Sequence, residues 1–189
     1  MNLLEIDEEV DFLKISLKAL DVPFLEISKA IARGIKNGLD VDSSGLCDKG
    51  EFIAGLAFVA CQKYITSTLR WFKISKKDAF NIGRVYAGNT TYVEIINAVA
   101  NYWKHSDEWD CISLIPEIDN NMLQVIFRDY KKLKYQASQT IDVIQRATPW
   151  GDYLCSNALY ELIRSKDLSL LALIPILTEW RSELLNLSN

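Results

Sequence analysis

Glycine and proline are scarce in this sequence, with only 8 glycines and 4 prolines among 189 residues. These residues interrupt helices and form the turns between short strands, so their scarcity favours long helices. The alternation of apolar and polar residues that marks strands is sustained nowhere. Hydrophobic residues make up 49% of the chain and charged residues 24%, a composition typical of a folded protein. We therefore expect one all-α domain over residues 1–189, a helical bundle of six to eight helices.

Paired metal ligands are missing as well. Histidine occurs once, and the four cysteines form no C-x-x-C pair, so the spacing of a structural zinc site is absent. The glycine-rich G-x-G-x-x-G motif, the P-loop and H-E-x-x-H are also missing, which argues against dinucleotide enzymes, P-loop NTPases and zinc proteases. We expect no metal and no cofactor. Scattered free thiols are typical of a reducing compartment, so a cytoplasmic location is expected.

The sequence also lacks a basic surplus and a long apolar run. Its formal net charge is −4, the opposite of what a duplex-DNA binder carries. The longest nearly apolar stretches, 52–61 and 168–177, have about half of the roughly 20 residues that a membrane span needs. The acidic N-terminus does not resemble a signal peptide. Neither duplex DNA nor a membrane is an expected partner.

The spacing of apolar residues predicts the individual helices. A first helix is predicted over 6–20 and a second from Pro23 to about Gly38, because proline is tolerated at a helix start. Residues 40–50 are predicted as the longest loop. A helix over 51–74, apolar on every side between 52 and 61, is predicted to be the buried spine. Later helices are predicted at 76–82, 92–105, 121–147, 152–164 and 167–185, the last with a kink at Pro175.

The helix predicted over 92–105 has the most sharply divided faces. Thr91 and Glu94 form a capping-box pattern at its start. At 100° per residue, one arc is apolar and the other carries Glu94, Asn97, Asn101, Lys104, His105 and Glu108. An imidazole exchanges protons near neutral pH, an amide holds a ligand oxygen, and a lysine neutralises phosphate. These polar residues are either a site for RNA cleavage or an ordinary solvated face.

Residues 100–105, A-N-Y-W-K-H, resemble the R-N-x-x-x-H signature of HEPN domains. The resemblance implies an all-α fold, a homodimer and a metal-independent ribonuclease of the toxin–antitoxin or phage-defence type. It also implies a cleft at the dimer interface, in which Asn101 is the polar residue and His105 the catalytic histidine. The sequence departs from the signature at Ala100, where the family has arginine. Lys104 is the candidate that would supply the missing positive charge.

A second candidate site interleaves basic and aromatic residues. Arg128, Lys131, Lys132 and Tyr135 share one side of a predicted helix. Phosphate contacts combined with aromatic stacking bind single-stranded nucleic acid. The alternative is a solvated helix face.

Two functions remain open from the sequence alone. The first is a HEPN-like endoribonuclease that uses His105, assisted by Asn101 and Lys104. The second is a non-catalytic module of the same fold, of antitoxin, immunity or regulatory type, that dimerises or binds a protein partner. The residue at position 100 favours the second function, and the polar residues around His105 favour the first.

Overall fold

A computed structural model describes residues 6–113, 130–148, 151–165 and 168–188. Within these ranges the chain forms seven α-helices, a short 3-10 helix and one small hairpin, so the predicted all-α bundle of six to eight helices is confirmed. The helices are α1 (Glu9–Lys36), α2 (Leu46–Leu69), α3 (Lys76–Phe80), α4 (Tyr92–Ser113), α5 (Tyr130–Ala147), α6 (Leu154–Ile163) and α7 (Leu173–Ser188), with the 3-10 helix at Leu170–Ala172.

Helix α1 runs unbroken through Pro23, and the prediction of two helices there is wrong. Its buried side continues across the proline, with Leu17 and Phe24 both in the core. A proline leaves the carbonyl four residues earlier without a helical partner. That residue, Ala19, lies on the exposed side of α1, so its carbonyl is within reach of solvent. Packing on the buried side therefore outweighs the local preference for a break.

Helix α2 begins at Leu46, five residues before the predicted start, after Gly45 in a left-handed conformation with φ of 67°. Ala57 and Phe58 are fully buried, as expected of a spine. Phe52 is 55% exposed, so α2 is not buried on every side. By length and composition α2 alone, among the residues described, is apolar enough to cross a membrane. However, 56% of its most apolar window is buried in the fold, which fits a core helix of a soluble protein.

Helix α4 lies at the centre of the bundle, packed against α2, α5, α6 and α7. The Thr91 half of the predicted capping box is confirmed, because the Thr91 hydroxyl accepts a hydrogen bond from the Glu94 N–H at 3.3 Å. The same hydroxyl donates to the carbonyl of Phe80 at 2.6 Å. The helix continues to Ser113, eight residues past its predicted end. This length places His105 within α4 instead of at its end.

The remaining elements differ from prediction mainly at their ends. The hairpin of β1 (Val85–Ala87) and β2 (Thr90–Thr91) was not predicted, since strands of three and two residues are too short to show alternation. Residues 121–129 of the helix predicted over 121–147, and Asp167, lie outside the described residues. Pro175 is the third residue of α7, within the first helical turn, so it does not kink the helix interior as predicted.

Candidate functional site

The amides of α4 are held by one side chain of α2. Gln62 Nε2 donates to Asn97 Oδ1 at 3.0 Å and to Asn101 Oδ1 at 2.7 Å. Gln62 is 8% exposed and Asn97 is 7% exposed, so this bridge lies in the interior. The polar arc predicted for α4 is therefore not solvated along its whole length. Its first part faces α2 and binds the two helices together.

The bridge also sets the orientation of Asn101. With Oδ1 turned towards Gln62, the Nδ2 group of Asn101 points away from α2. Asn101 lies at the surface of a groove between α4 and α5. The bridge occupies the Oδ1 end of the side chain, so Nδ2 is the end of Asn101 that remains as a hydrogen-bond donor.

His105 lies one turn further along α4 and lines the same groove. Its Nδ1 is 3.2 Å from Oε2 of Glu108, and both side chains are about half exposed. When Nδ1 carries the proton, it donates to the Glu108 carboxylate and leaves Nε2 as an acceptor. A carboxylate that fixes the tautomer in this way is a common partner of a catalytic imidazole. In that tautomer, Nε2 is the ring atom that can accept a proton.

Trp109 supports the imidazole from the next turn of α4. The two rings are nearly parallel, with an interplanar angle of 21° and centroids 5.9 Å apart. Trp109 is only 7% exposed and packs with Ala137 of α5, Tyr102 and Leu133. It fixes the position of His105 and holds α4 to α5.

Helix α5 forms the other wall of the groove. The lining residues, from both helices, are Asn101, His105, Trp109, Tyr135, Gln136, Gln139 and Thr140. The groove encloses about 270 Å³. Sites for drug-sized molecules enclose roughly 300–1,000 Å³. The groove is open to solvent on one side and is slightly smaller than such a site.

The basic and aromatic run of α5 reaches this groove in part. Tyr135 lines it with 65% of its surface exposed. Lys132 is exposed and precedes Gln136 by one turn, so it lies on the same side of α5 beyond the end of the groove. Arg128 and the side chain of Lys131 lie outside the described residues. Of the residues predicted for the two sites, His105 and Asn101 from the first and Tyr135 from the second line this groove.

Two predicted features of α4 lie elsewhere. Lys104 is exposed but does not line the groove. Burial lowers the pKa of Lys76, and the charge of Lys104 lowers it further, which places Lys104 beside α3. Ala100 is fully buried in the main core. The position at which HEPN domains carry arginine therefore points into the interior of this protein, away from His105.

Sequence reasoning missed four residues of the site: Gln62, Gln136, Gln139 and Thr140. Gln62 had a visible signal, because it is a polar residue at the end of an otherwise apolar stretch of α2. The other three share one side of α5 with Tyr135 at helical spacing. What the sequence did not show is that this side of α5 packs beside the polar side of α4.

Metal ligation has no support in the described part of the chain. No three His, Cys, Asp or Glu side chains converge there. The chemistry that the groove offers is instead stacking, amide hydrogen bonding and proton transfer. No protein-family model, curated protein or solved structure matches this chain.

Proposed function

We propose that this chain is a HEPN-like, RNA-associated helical protein that binds an unpaired nucleotide of single-stranded RNA between α4 and α5. The observation that carries the proposal is the meeting of His105 and Asn101 with Tyr135 in one groove. A proton-transfer group, fixed amides and an exposed aromatic ring are the groups that recognise an unstacked RNA base and its sugar.

Each lining residue has a role in this proposal. Tyr135 stacks on the base, since its ring is exposed at the groove wall. The side chains of Gln136 and Gln139 hydrogen-bond to the base edge, because an amide offers both a donor and an acceptor. Lys132 contacts the phosphate beyond the end of the groove. Asn101 Nδ2 donates to the ribose or to the phosphate.

The groove suits a single strand better than a duplex. A duplex presents two continuous phosphate backbones, and proteins that bind a duplex carry broad basic surfaces. This chain has a net charge of −4 and places only local positive charge near the groove. A splayed base, by contrast, gains most of its binding energy from stacking and hydrogen bonds.

Cleavage belongs to the same proposal and requires no metal. His105 Nε2 takes the proton of the 2′-hydroxyl, and the 2′-oxygen attacks the adjacent phosphorus. The bond to the 5′-oxygen breaks, water protonates that oxygen, and the hydroxide that remains takes the proton back from the His105 imidazolium. The products carry a 2′,3′-cyclic phosphate and a 5′-hydroxyl. Lys132 and Asn101 stabilise the charge that develops on the phosphate oxygens. Such a cytoplasmic enzyme fits a toxin or phage-defence role.

A second function is favoured by Ala100. An alanine there lacks the bidentate guanidinium contact that the family signature gives to phosphate. In this second function the groove has no catalytic role. The chain is a non-catalytic module of antitoxin, immunity or regulatory type that dimerises or binds a protein partner. RNA binding and cleavage separate the two functions directly.

Fluorescence anisotropy with a short, labelled single-stranded RNA of mixed sequence tests the proposal. Loss of one stacked base costs about 1–3 kcal/mol, so Tyr135→Ala should weaken binding roughly 5- to 150-fold. Tyr160→Ala is the matched control, because Tyr160 is also exposed, at 57%, but lies on α6. Absence of binding by the wild-type protein, or equal effects of both variants, would contradict RNA binding in the groove.

Catalysis is tested with His105→Ala. We expect the wild-type protein to release fragments ending in a 2′,3′-cyclic phosphate and to slow bacterial growth when expressed. The variant should bind RNA, release no fragments and relieve the growth defect. If both proteins bind RNA and neither cuts it, the result would support the binding site and contradict the nuclease activity. No binding and no cleavage would leave the partner-binding function.

A further inference from the structure

Three exposed arginines meet at the small β-hairpin: Arg84, Arg146 and Arg164. Arg146, in the last turn of α5, donates from Nη1 to the hydroxyl of Thr90 at 3.0 Å. Thr90 belongs to β2 and is fully buried, so this bond holds the end of α5 against the hairpin.

Two tyrosine rings hold the other two arginines. Tyr86 of β1 and Tyr92 of α4 meet edge to face, with their centroids 5.5 Å apart. The guanidinium carbon of Arg84 lies 4.8 Å from the ring centroid of Tyr92. That of Arg164 lies 5.2 Å from the ring centroid of Tyr86. A cation is attracted to the face of an aromatic ring, so the two touching rings keep both guanidinium groups near the hairpin.

The hydroxyl of Tyr86 joins this pair to α5. It accepts a hydrogen bond from Arg164 Nη2 at 3.0 Å. It also lies 3.2 Å from the carbonyl oxygen of Ala147, the residue that follows Arg146. Arg84, Arg146 and Arg164 therefore form one group of side chains, which we call the arginine cluster.

The arginine cluster carries more positive charge than its neighbours neutralise. Glu161 accepts hydrogen bonds from Tyr86 at 2.9 Å and from Arg164 at 3.4 Å. Among the residues that the structure describes, it is the one carboxylate that forms an ion pair with the cluster. Asp142 is exposed one turn before Arg146 but forms no ion pair with it. An excess of positive charge therefore remains at the hairpin of a chain whose net charge is −4.

Arg164 occupies a backbone position that favours glycine. It lies directly after the last residue of α6 with φ of 47°, in the left-handed region. Glycine adopts this conformation at helix ends without the steric cost of a Cβ. A strained backbone position that keeps a large side chain points to a function for that side chain.

The arginine cluster lies on the same side of α5 as the groove. Gln139 lines the groove, and Arg146 follows it by seven residues, which is about 10 Å along a helix. Residues seven apart share one side of a helix. Lys132 precedes Gln139 by seven residues and lies beyond the other end of the groove. Positive charge therefore flanks the groove at both ends of α5.

We propose that the arginine cluster binds backbone phosphates of the single-stranded RNA whose base lies between α4 and α5, at nucleotides next to the bound one. This inference rests on the proposed function and extends its site from the groove to the hairpin. Guanidinium groups suit the role, because each can pair with a phosphate through two parallel hydrogen bonds. The tyrosine rings already hold Arg84 and Arg164, so these side chains lose little freedom when a phosphate binds.

The dependence of RNA affinity on salt measures these phosphate contacts. For single strands, the slope of log K against the logarithm of salt concentration changes by about 0.7 for each phosphate that the protein neutralises. A variant with Arg84→Gln, Arg146→Gln and Arg164→Gln should therefore have a slope shallower than that of the wild-type protein by about 2. The matched control is Arg33→Gln, which removes one exposed arginine from α1 and should leave the slope unchanged. Circular dichroism confirms that each variant is folded.

Tyr135→Ala separates this inference from the groove. Loss of base stacking should weaken binding at every salt concentration and leave the slope unchanged. If the triple variant keeps the wild-type slope while Tyr135→Ala weakens binding, the arginine cluster is overturned and the groove is supported. If the triple variant has a shallower slope and Tyr135→Ala has no effect, the cluster is supported and the groove is contradicted. A change as large in Arg33→Gln overturns the cluster, and a wild-type protein that binds no RNA overturns both.

Discussion

Nε2 of Gln62 in α2 lies 2.7 Å from Oδ1 of Asn101 in α4. This hydrogen bond connects the interior of the bundle to the groove. The same nitrogen also bonds to Asn97, so both amide hydrogens are used. A buried polar bridge of this kind fixes the rotation of one helix against its neighbour, because any other rotation leaves the groups unpaired. The orientation of Asn101, and through it the floor of the groove, depends on a residue outside the groove.

Replacement of Gln62 by methionine tests this bridge. The side chain keeps its length but loses its donors, so the oxygens of Asn97 and Asn101 lose their partner. We expect the free energy of unfolding in urea to fall by about 1–3 kcal/mol. The control is Gln139→Met, on the exposed part of α5, which should change stability by less than about 0.5 kcal/mol. Equal stability of the two variants would show that the bridge contributes nothing.

Close packing of α2 on α4 depends on Gly55. A Cβ at this position would lie within 2.6 Å of the ring of Trp103, which no ordinary contact allows. Gly55→Ala should therefore lower the stability by about 1–3 kcal/mol, as overpacked cores do, and shift the thermal midpoint downward. Gly151→Ala is the control, because nothing lies within 4 Å of its Cβ position. An unchanged midpoint for Gly55→Ala would mean that the two helices lie further apart.

Several boundaries were predictable because their causes are local. Thr91 caps α4 through a hydrogen bond to Glu94, and Ser75 caps α3 by accepting from the Asp78 N–H at 3.1 Å. These bonds join residues three apart, so the sequence alone contains both partners. Pro23 misled the prediction, since its tolerance depends on which side of α1 is packed.

The site was only partly predictable, because some of its contacts lie within one helix and others depend on how helices pack. His105 and Asn101 stood out by their spacing on one helix. Their distance from Tyr135 depends on how α5 packs on α4, which no spacing within a helix reveals. Gln62 acts from a third helix, 39 residues away in sequence from Asn101. Contacts of this range follow from tertiary packing and not from local pattern.

The thiol of Cys47 provides a test by pH. Burial raises its pKa, and the carboxylates of Asp42 and Asp48 raise it further. A raised pKa means a smaller thiolate fraction at a given pH, so alkylation by iodoacetamide should be slower than for free cysteine, with its profile shifted to higher pH. Asp48→Asn should shift the profile part of the way back. Mass spectrometry of the alkylated peptides measures the rate at each pH.

Cys61 is the internal control for this measurement. Burial raises its pKa strongly, and the residue is fully buried, so it should stay unmodified until the protein unfolds. A Cys47 profile that coincides with that of free cysteine would contradict the local environment described for it.

Photo-crosslinking of RNA to the wild-type protein tests the central claim most directly. A single-stranded RNA carrying 4-thiouridine is bound, irradiated and digested, and the attached peptides are identified by mass spectrometry. The groove predicts crosslinks at Tyr135 or in the segment of α4 from Asn101 to Trp109, and their loss when an excess of unlabelled RNA competes. Crosslinks confined to other helices, or none above the level of a non-binding control protein, would contradict RNA binding between α4 and α5.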